Sequence, residues 1–444
     1  MAQVVKLWVL SFATGALAVL AVHGATMWVS GDSQVLPSDS TRMMSLGSPK
    51  VINLDKAKGE QKIIMNDPSI QKNWGLMGTN GASDIKVNNA WSITQGDRNV
   101  VVAIIDTGID VKHSDLHANI WQNPGESGLD KNGKSKSTNS IDDDNNGYID
   151  DINGWDFVNN KPFVIDNHGH GTHIAGIVGA VGGNGIGMSG VCPKVSLMAL
   201  KYYDPTSKGN DNLRNTVRAI RYAAKMGAHI INYSGGGTEP NDDEFEAIKY
   251  SNDKGVLFVA AAGNERSNSD LAPYYPADYN LPNIISVTAI DSFAKVLKTS
   301  NYGIKSVHLA APGEGIYSTL PNGNYGLMTG TSQATAFVSG VAALILAHNR
   351  DFNAAQVKKQ IIATADELPE LRDKTSTSGK LNSYAALAML PAIPATGIAT
   401  AVASAPITVT VEGQRNEKVT LNALLQAIST PNQITGKRNA AQAL

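Results

Sequence analysis

Apolar positions along this chain fall into short runs separated by polar, glycine-rich stretches. Residues 99–105 (Asn-Val-Val-Val-Ala-Ile-Ile) are a nearly continuous β-branched run, which predicts a strand buried on both faces. Comparable runs predict strands at 230–233, 255–262 and 284–290. Helical patterns are expected between and after them, at 171–180, 211–226, 241–253, 333–348 and 354–364. The stretch 337–347 is too apolar for a surface helix and predicts one packed on all sides. Alternating strands and helices argue for an α/β fold, a three-layer α/β/α architecture with a mostly parallel sheet. Residues 274–277 and 310–313 read as proline-containing loops between strands.

The two ends differ from this middle. Lys6, an uncharged run over 7–22 and the small residues of His23-Gly24-Ala25 read as a secretory signal peptide over 1–25. The run is slightly short for a spanning helix, and an uncleaved anchor is the alternative. A secreted, periplasmic or cell-surface location is therefore expected, with membrane contact only if that segment stays uncleaved. Residues 26–66 are polar and irregular, a short pro-segment or linker. The alternating elements occupy 67–390. After them, 391–405 is rich in Ala, Thr and Pro, as a linker would be. The tail to residue 444 offers one candidate strand at 407–411 and a short helix at 419–428.

A chain of 444 residues suffices for one large α/β domain plus extensions. The formal net charge is −2 with no basic block, so nucleic acid is not an expected partner. The single Cys192 excludes an intrachain disulfide framework. A monomer without an organic cofactor is expected.

Candidate chemistry lies at the strand ends and helix starts. In Gly330-Thr331-Ser332-Gln333 a glycine turn and a hydroxyl precede the buried helical run. Peptide N–H groups at such a helix mouth favour a developing oxyanion, which suits a nucleophile; the alternative is an N-cap serine. A nucleophilic serine needs a base and an orienting carboxylate. Asp106, in Asp106-Thr107-Gly108, closes the 99–105 strand, where open α/β sheets place their chemistry; an Asx-turn is the bland reading. Residues 167–173 hold three of the nine histidines, and His170 and His173 would share a helix face. That pair could be a zinc site, but it lacks the Glu of His-Glu-x-x-His. Gly263-Asn264-Glu265 follows another predicted strand and alone reads as a turn. In the acidic stretch 142–151, Asp142, Asp144 and Asn146 fall at ligand spacing for a hard cation and Gly147 supplies the turn. The twelfth position is Asn153, so the loop is not an EF-hand, and a solvated acidic turn is the alternative.

Asp-Thr-Gly after a strand, His-Gly-Thr-His-Ile-Ala-Gly opening a helix and Gly-Thr-Ser-x-Ala-Thr opening a later one occur in that order. Together they resemble the subtilisin-like serine proteases, the subtilase family, over about residues 67–387. The resemblance implies a subtilisin-like fold and a serine endopeptidase acting on proteins or peptides through an acyl-enzyme. Asp106 would hold the imidazole tautomer, His170 would act as base and then acid, and Ser332 would attack. The Asn264 side-chain amide and the Ser332 N–H would bind the oxyanion, and His173 would be a packed helix residue. Ser234, Gly235 and Gly236 would line one wall of the pocket for the residue before the cleaved bond, with Ala261, Ala262 and Gly263 opposite. Their small size implies a roomy, uncharged pocket with broad apolar or aromatic preference. The resemblance also implies a calcium ion held by Asp67, Asp115 and Asn184 with the carbonyls of Val181, Ile186 and Met188.

The chain departs from the family pattern in several places. Gly235 replaces a usual Leu, Gln333 a Met, and Ala336-Phe337 a Pro-His pair. The 26–66 stretch is too short for a folded pro-domain. These departures keep open a non-catalytic binding protein on the same scaffold. A lipase-type hydrolase is excluded by residue order and by the absence of Gly-x-Ser-x-Gly around Ser332.

Overall fold

A computed structural model describes residues 65–78, 83–206 and 211–389 in full, together with the backbone of five strands nearer the termini. It divides into two units, Met1–Lys58 with Pro391–Leu444, and Gly59–Leu390. In the first unit, β1 (Lys6–Phe12), β2 (Gly15–Val22) and β3 (Ala25–Ser30) run antiparallel to their neighbours. The apolar 7–22 run thus falls in β1 and β2. The expected pro-segment lies almost wholly outside the described residues, as does the 391–405 linker.

The second unit is organised by a nine-stranded sheet. It begins with a short helix α1 (Val87–Ala90) and the long strand β4 (Gly96–Asp106). There follow β5 (Gly154–Asp156), α2 (His170–Gly179), β6 (Lys194–Lys201), α3 (Asn212–Lys225) and β7 (Ile230–Tyr233). Next come α4 (Asp242–Asp253), β8 (Leu257–Ala261), β9 (Ile284–Ile290) and β10 (Leu309–Pro312). A hairpin of β11 (Ile316–Leu320) and β12 (Asn324–Met328) precedes α5 (Thr331–His348), α6 (Ala354–Ala363), β13 (Asp366–Glu367), β14 (Gly379–Lys380) and α7 (Ser383–Ala388). In the terminal unit, β15 (Pro406–Thr410) pairs with β3 and β16 (Glu417–Thr420). Val419 and Thr420 are therefore in a strand where a helix was expected to start; 421–428 lie outside the described residues.

The sheet order is β13-β14-β10-β9-β8-β7-β4-β6-β5, parallel except for the edge pair β13–β14. From β4 the chain winds outward to β6 and then returns to the other side at β7. The crevice above the carboxyl end of β4 is thus the topological switch point, where such sheets place ligands.

Strand periodicity decides how the layers form. Val100, Val102 and Ile104 of β4 face Ile174, Ile177 and Val178 of α2 and Val338, Val341 and Ile345 of α5 in one core. Val101, Ala103 and Ile105 face the opposite core, with Ala219, Ile220 and Ala223 of α3 and Ala247 and Ile248 of α4. Alternate side chains of one strand therefore feed two cores, which is why the run lacks polar positions. The amphipathic outer helices are capped by side chains: Asp211 accepts from the Arg214 N–H and Asn241 from the Glu244 N–H.

Helix α5 is buried from Thr331 to Leu346 and packs against β4, β7, β8, β9, β10 and α2. Among the described residues it is the one helix long and apolar enough to cross a membrane, and here it is the core of the unit. Phe337 is fully buried and sits where a side chain on Gly75 would collide with its ring. Truncating such a ring to alanine costs about 3–5 kcal/mol in comparable cores.

Every expected helix and strand within 67–390 is present, with ends moved by a few residues. Sequence pattern missed β6, whose Lys194 and Ser196 interrupt its apolar run, and the short β5, β11, β12, β13 and β14. The expected loop at 310–313 is corrected: Leu309–Pro312 is β10, paired with β9, with Ala311 in the core shared with α5 and Ala310 on the opposite face with Ile290 and Leu371.

Candidate active site

Asp106 is the last residue of β4, 3 % exposed. Its Oδ1 accepts from the Thr107 N–H at 2.8 Å and from His170 Nδ1 at 2.7 Å. A carboxylate beside Nδ1 fixes the proton there, so Nε2 carries the free lone pair. His170 opens α2, after Gly169 in the left-handed region, and its side chain keeps 23 % exposure. Gly171 is required next to it, because a Cβ there would lie 2.1 Å from the Gly108 carbonyl and 3.0 Å from Asp106 Cβ. Burial pulls the His170 imidazole down, but the Asp106 charge, its hydrogen bond and the Asp166 charge together hold it above its ordinary value.

Asp166 is a functional residue that sequence reasoning missed. It is 5 % exposed, and its Oδ1 accepts from the Thr107 hydroxyl and the His168 and Gly169 N–H groups. Its Oδ2 accepts from the Thr172 N–H and hydroxyl. One carboxylate thus ties the β4 terminus to the first turn of α2 and fixes the spacing of Asp106 and His170. The only signal was an Asp four positions before His170 in a polar loop.

Ser332 lies inside the first turn of α5, whose N-cap is Gly330 without any side-chain cap bond. The capping alternative for Ser332 is therefore set aside. Ser332 is 8 % exposed, and its Oγ donates to the Ser234 carbonyl at 3.3 Å, with the Ser234 hydroxyl 3.4 Å from the Ser332 carbonyl. The leading N–H groups of α5 have no partner within the helix. One of them, from Thr331, donates to Asn264 Oδ1 at 3.1 Å. Asn264 is exposed just beyond β8, and this bond commits its Oδ1 to the start of α5 while Nδ2 remains its donor atom.

His173 takes no part. It is fully buried, with Nε2 3.0 Å from the Ile316 carbonyl and 3.2 Å from that of Gly326, and burial pushes it down to about 4. His170 Nδ1 is taken by Asp106, and among the described residues no third His, Cys, Asp or Glu ligand atom groups with this pair, so the zinc alternative is set aside.

Of the residues expected to line the pocket, Ala261 and Ala262 are buried and Gly236 is exposed. The space between them is not the roomy one expected. A Cβ on Gly236 would lie 2.5 Å from Tyr274 Cε1, and one on Gly263 would lie 2.9 Å from Tyr274 Cγ, so one ring spans both walls. Burial, then the Glu265 and Glu244 charges, push the Tyr274 hydroxyl up to about 12, so it stays neutral. Gly235 also has a reason: a side chain there would meet the Tyr202 hydroxyl at 2.3 Å and that of Tyr233 at 2.9 Å. The volume expected for a larger residue at 235 is filled by tyrosines from β7 and the segment after β6. Gly237 pairs with Tyr275 in an isolated antiparallel bridge.

The acidic residues gather in two places. Ligand atoms of Glu126, Asp142 and Asp144 lie within 4.8 Å of one another. Glu126 is fully buried, its Oε2 has no partner, and burial, together with the Asp151, Asp144 and Asp143 charges, pushes it up to about 7. Asn146, expected as a ligand, instead donates through Nδ2 to Asp144 and Asp151 and spends Oδ1 on the Tyr148 N–H. Asp67, Asp115 and Asn184 do converge, but as an anion–donor cluster. Asp67 accepts from the Gly183, Asn184 and Gly185 N–H groups, and Asp115 from Asn184 Nδ2 and the Met188 N–H. Val181 meets Asp115 through its N–H rather than its carbonyl, and Ile186 is exposed.

Residues 97–386 match the family model described as the subtilase family. Thermitase of Thermoactinomyces vulgaris is 34 % identical over 310 residues, covering 69 % of this chain and 95 % of thermitase. Subtilisin-like protease 2 of Plasmodium falciparum is 32 % identical over 347 residues, covering 76 % of this chain and 24 % of that protein, so the chain spans about a quarter of its length. Among solved structures, a protease from Pseudoalteromonas arctica aligns with a TM-score of 0.58 at 25 % identity, covering 73 % of this chain and 99 % of that one.

The coupling of Asp166 to His170 is testable by NMR titration of the imidazole. Asp166→Asn should lower the His170 pKa toward its ordinary value while leaving the Asp106 hydrogen bond in place. An unchanged pKa would show that Asp166 acts only as a structural tie.

Proposed function

The chain belongs to the subtilase family of serine peptidases, and we propose that it is a secreted, calcium-stabilised endopeptidase working through Asp106, His170 and Ser332. The observation carrying this reading is the 2.7 Å bond from His170 Nδ1 to buried Asp106, which leaves Nε2 free at the crevice that also holds the α5 mouth.

In this mechanism Ser332 Oγ first swings from the Ser234 carbonyl to His170. As Oγ attacks the scissile carbonyl carbon, its proton passes to Nε2, and Asp106 stabilises the resulting imidazolium. The oxyanion forms between Asn264 Nδ2 and the Ser332 N–H; removing one such donor costs about 10²–10³ in turnover. Collapse breaks the peptide C–N bond as His170 returns the proton to the leaving amine. Water then attacks the acyl-enzyme with the same base, releasing the acid and restoring Ser332 Oγ–H. Secretion follows from the leader read at 1–25.

Tyr274 argues for a narrow pocket, so small side chains before the cleaved bond are preferred to aromatic ones. Calcium suits the loop of Glu126, Asp142 and Asp144, because an orphaned buried carboxylate oxygen there needs a cation. The ion would supply charge neutralisation and tie that loop to the sheet. At Asp67 and Asp115 the carboxylate oxygens already face N–H donors, so an ion there would require the 181–188 loop to turn its carbonyls inward. A non-catalytic scaffold draws support from Ser332 Oγ pointing at Ser234 rather than at His170.

Fluorophosphonate labelling decides between the two readings. Intact calcium-loaded protein should label at Ser332 and cleave casein, and Ser332→Ala should do neither; an unlabelled Ser332 with uncleaved casein removes the peptidase reading. On peptide series, Tyr274→Gly should raise kcat/KM for Phe relative to Ala before the cleaved bond by roughly tenfold or more, whereas an unchanged ratio would place Tyr274 outside the pocket. Calcium at a hundred times its Kd should add about 2.7 kcal/mol of stability, seen as a rise in Tm over chelated protein. Glu126→Gln should lose most of that rise, and a full rise in this variant would move the ion elsewhere.

A further inference from the structure

Lys201 ends β6, in register with Asp106 at the end of β4 on one side and with Asp156 of β5 on the other. Its side chain is 2 % exposed, a rare place for a lysine unless it is paired. Nζ lies 2.9 Å from Oδ2 of Asp204, itself nearly buried, and donates to the Ile165 carbonyl at 2.9 Å. The Lys201 carbonyl accepts from the Phe157 N–H at 2.8 Å. One residue thus holds both ends of 157–165, most of the loop between β5 and α2. From 158 to 165 only Val164 is buried, and Phe163 and Ile165 are exposed, so few apolar anchors locate this loop. Val164 adds a further tie, its carbonyl accepting from the Ile109 N–H at 3.0 Å. The residue after Ile165 is Asp166, the carboxylate bound by Thr107, His168, Gly169 and Thr172 beside His170. A methionine would fill the Lys201 site without burying two charges. What the ammonium adds there is the bond to Ile165 and the pairing with Asp204.

We propose that Lys201, held by Asp204, is a positioning residue of the active site: its grip on the Ile165 carbonyl sets where the Asp166 carboxylate stands against His170. The proposal rests on the peptidase reading, in which His170 is the base. A buried ammonium bound to a carbonyl makes a stronger tie than a neutral donor would. Asp204 keeps the ammonium charged and aimed, because its Oδ1 accepts from the Thr206 N–H and hydroxyl and leaves Oδ2 for Nζ. The titratable groups around His170 are Asp106, Asp166 and the rings of His168 and His173. Asp106 is fixed by β4 and His173 by α2, which leaves Asp166 as the nearby carboxylate that depends on the loop. Without the tie Asp166 moves off, and His170 then binds its proton less tightly.

The test replaces the buried pair in the full chain by apolar residues, Lys201→Met with Asp204→Leu, an exchange that often leaves a protein folded. Thermal unfolding verifies the fold, and Lys201→Met with Asp204→Asn serves if the first variant does not fold. NMR titration should find the His170 pKa lowered toward its ordinary value. The acid limb of kcat/KM should move to lower pH with it, because the neutral base then persists to lower pH. On a peptide substrate kcat should fall about tenfold or more with KM nearly unchanged. Asp166→Asn should lower the same pKa by itself, and adding the pair replacement should lower it no further. An unchanged His170 pKa in the folded variant, or a fall that recurs in full on top of Asp166→Asn, overturns the proposal. The titration needs no turnover, so the two levels separate. A lowered pKa in a chain that cleaves neither peptide nor casein keeps the role of Lys201 and removes the peptidase reading, and cleavage with an unchanged pKa does the reverse.

Discussion

The burial of α5 on every side is the constraint from which the site follows. An 18-residue helix with no polar face has to be enclosed, and the sheet and α2 enclose it. Enclosure fixes the helix axis and leaves its N-terminus at the crevice above β4. There the first N–H groups lack partners within the helix and need acceptors, and Asn264 takes that of Thr331. The nucleophile and the oxyanion donors are positioned by the same packing that stabilises the unit, so core and chemistry are not separable here.

Charge is the second theme. Asp106 at the end of β4 and Asp166 in the loop before α2 are both nearly buried, and among the described residues neither forms an ion pair with a lysine or arginine. They are held by N–H and O–H donors from the first turn of α2 and by the His170 ring. That arrangement raises the affinity of His170 for a proton while leaving Nε2 as the atom that receives it. The same physics reappears at Glu126 and Glu244, where buried carboxylates have too few donors. At Asp67 and Asp115 the loop N–H groups supply what is missing, which is why those residues read as a finished hydrogen-bond cluster.

Tyrosines reshape the substrate side. Gly235, Gly236 and Gly263 leave room in the backbone, and Tyr202, Tyr233 and Tyr274 take that room. The sequence pattern of small residues is therefore a record of close approach by rings from elsewhere, not of open volume. Tyr202 and Tyr233 also line a cavity that Glu244 borders.

The order of Asp106, His170, Asn264 and Ser332 on strand ends and helix starts was legible without coordinates, because apolar periodicity locates those ends locally. So was the parallel sheet, since strands buried on both faces are mostly apolar runs without the alternation of a half-exposed strand. Not legible were Asp166, Tyr274 and Glu126, whose partners lie far along the chain or in irregular loops without a period. The pocket was misjudged for the same reason: glycine at 236 reports space, and only the chain that returns at 274 decides what fills it. The sequence by itself determined which groups could do chemistry. The tertiary structure decided which of them meet, because a buried charge or an empty volume is resolved by whichever distant segment packs against it.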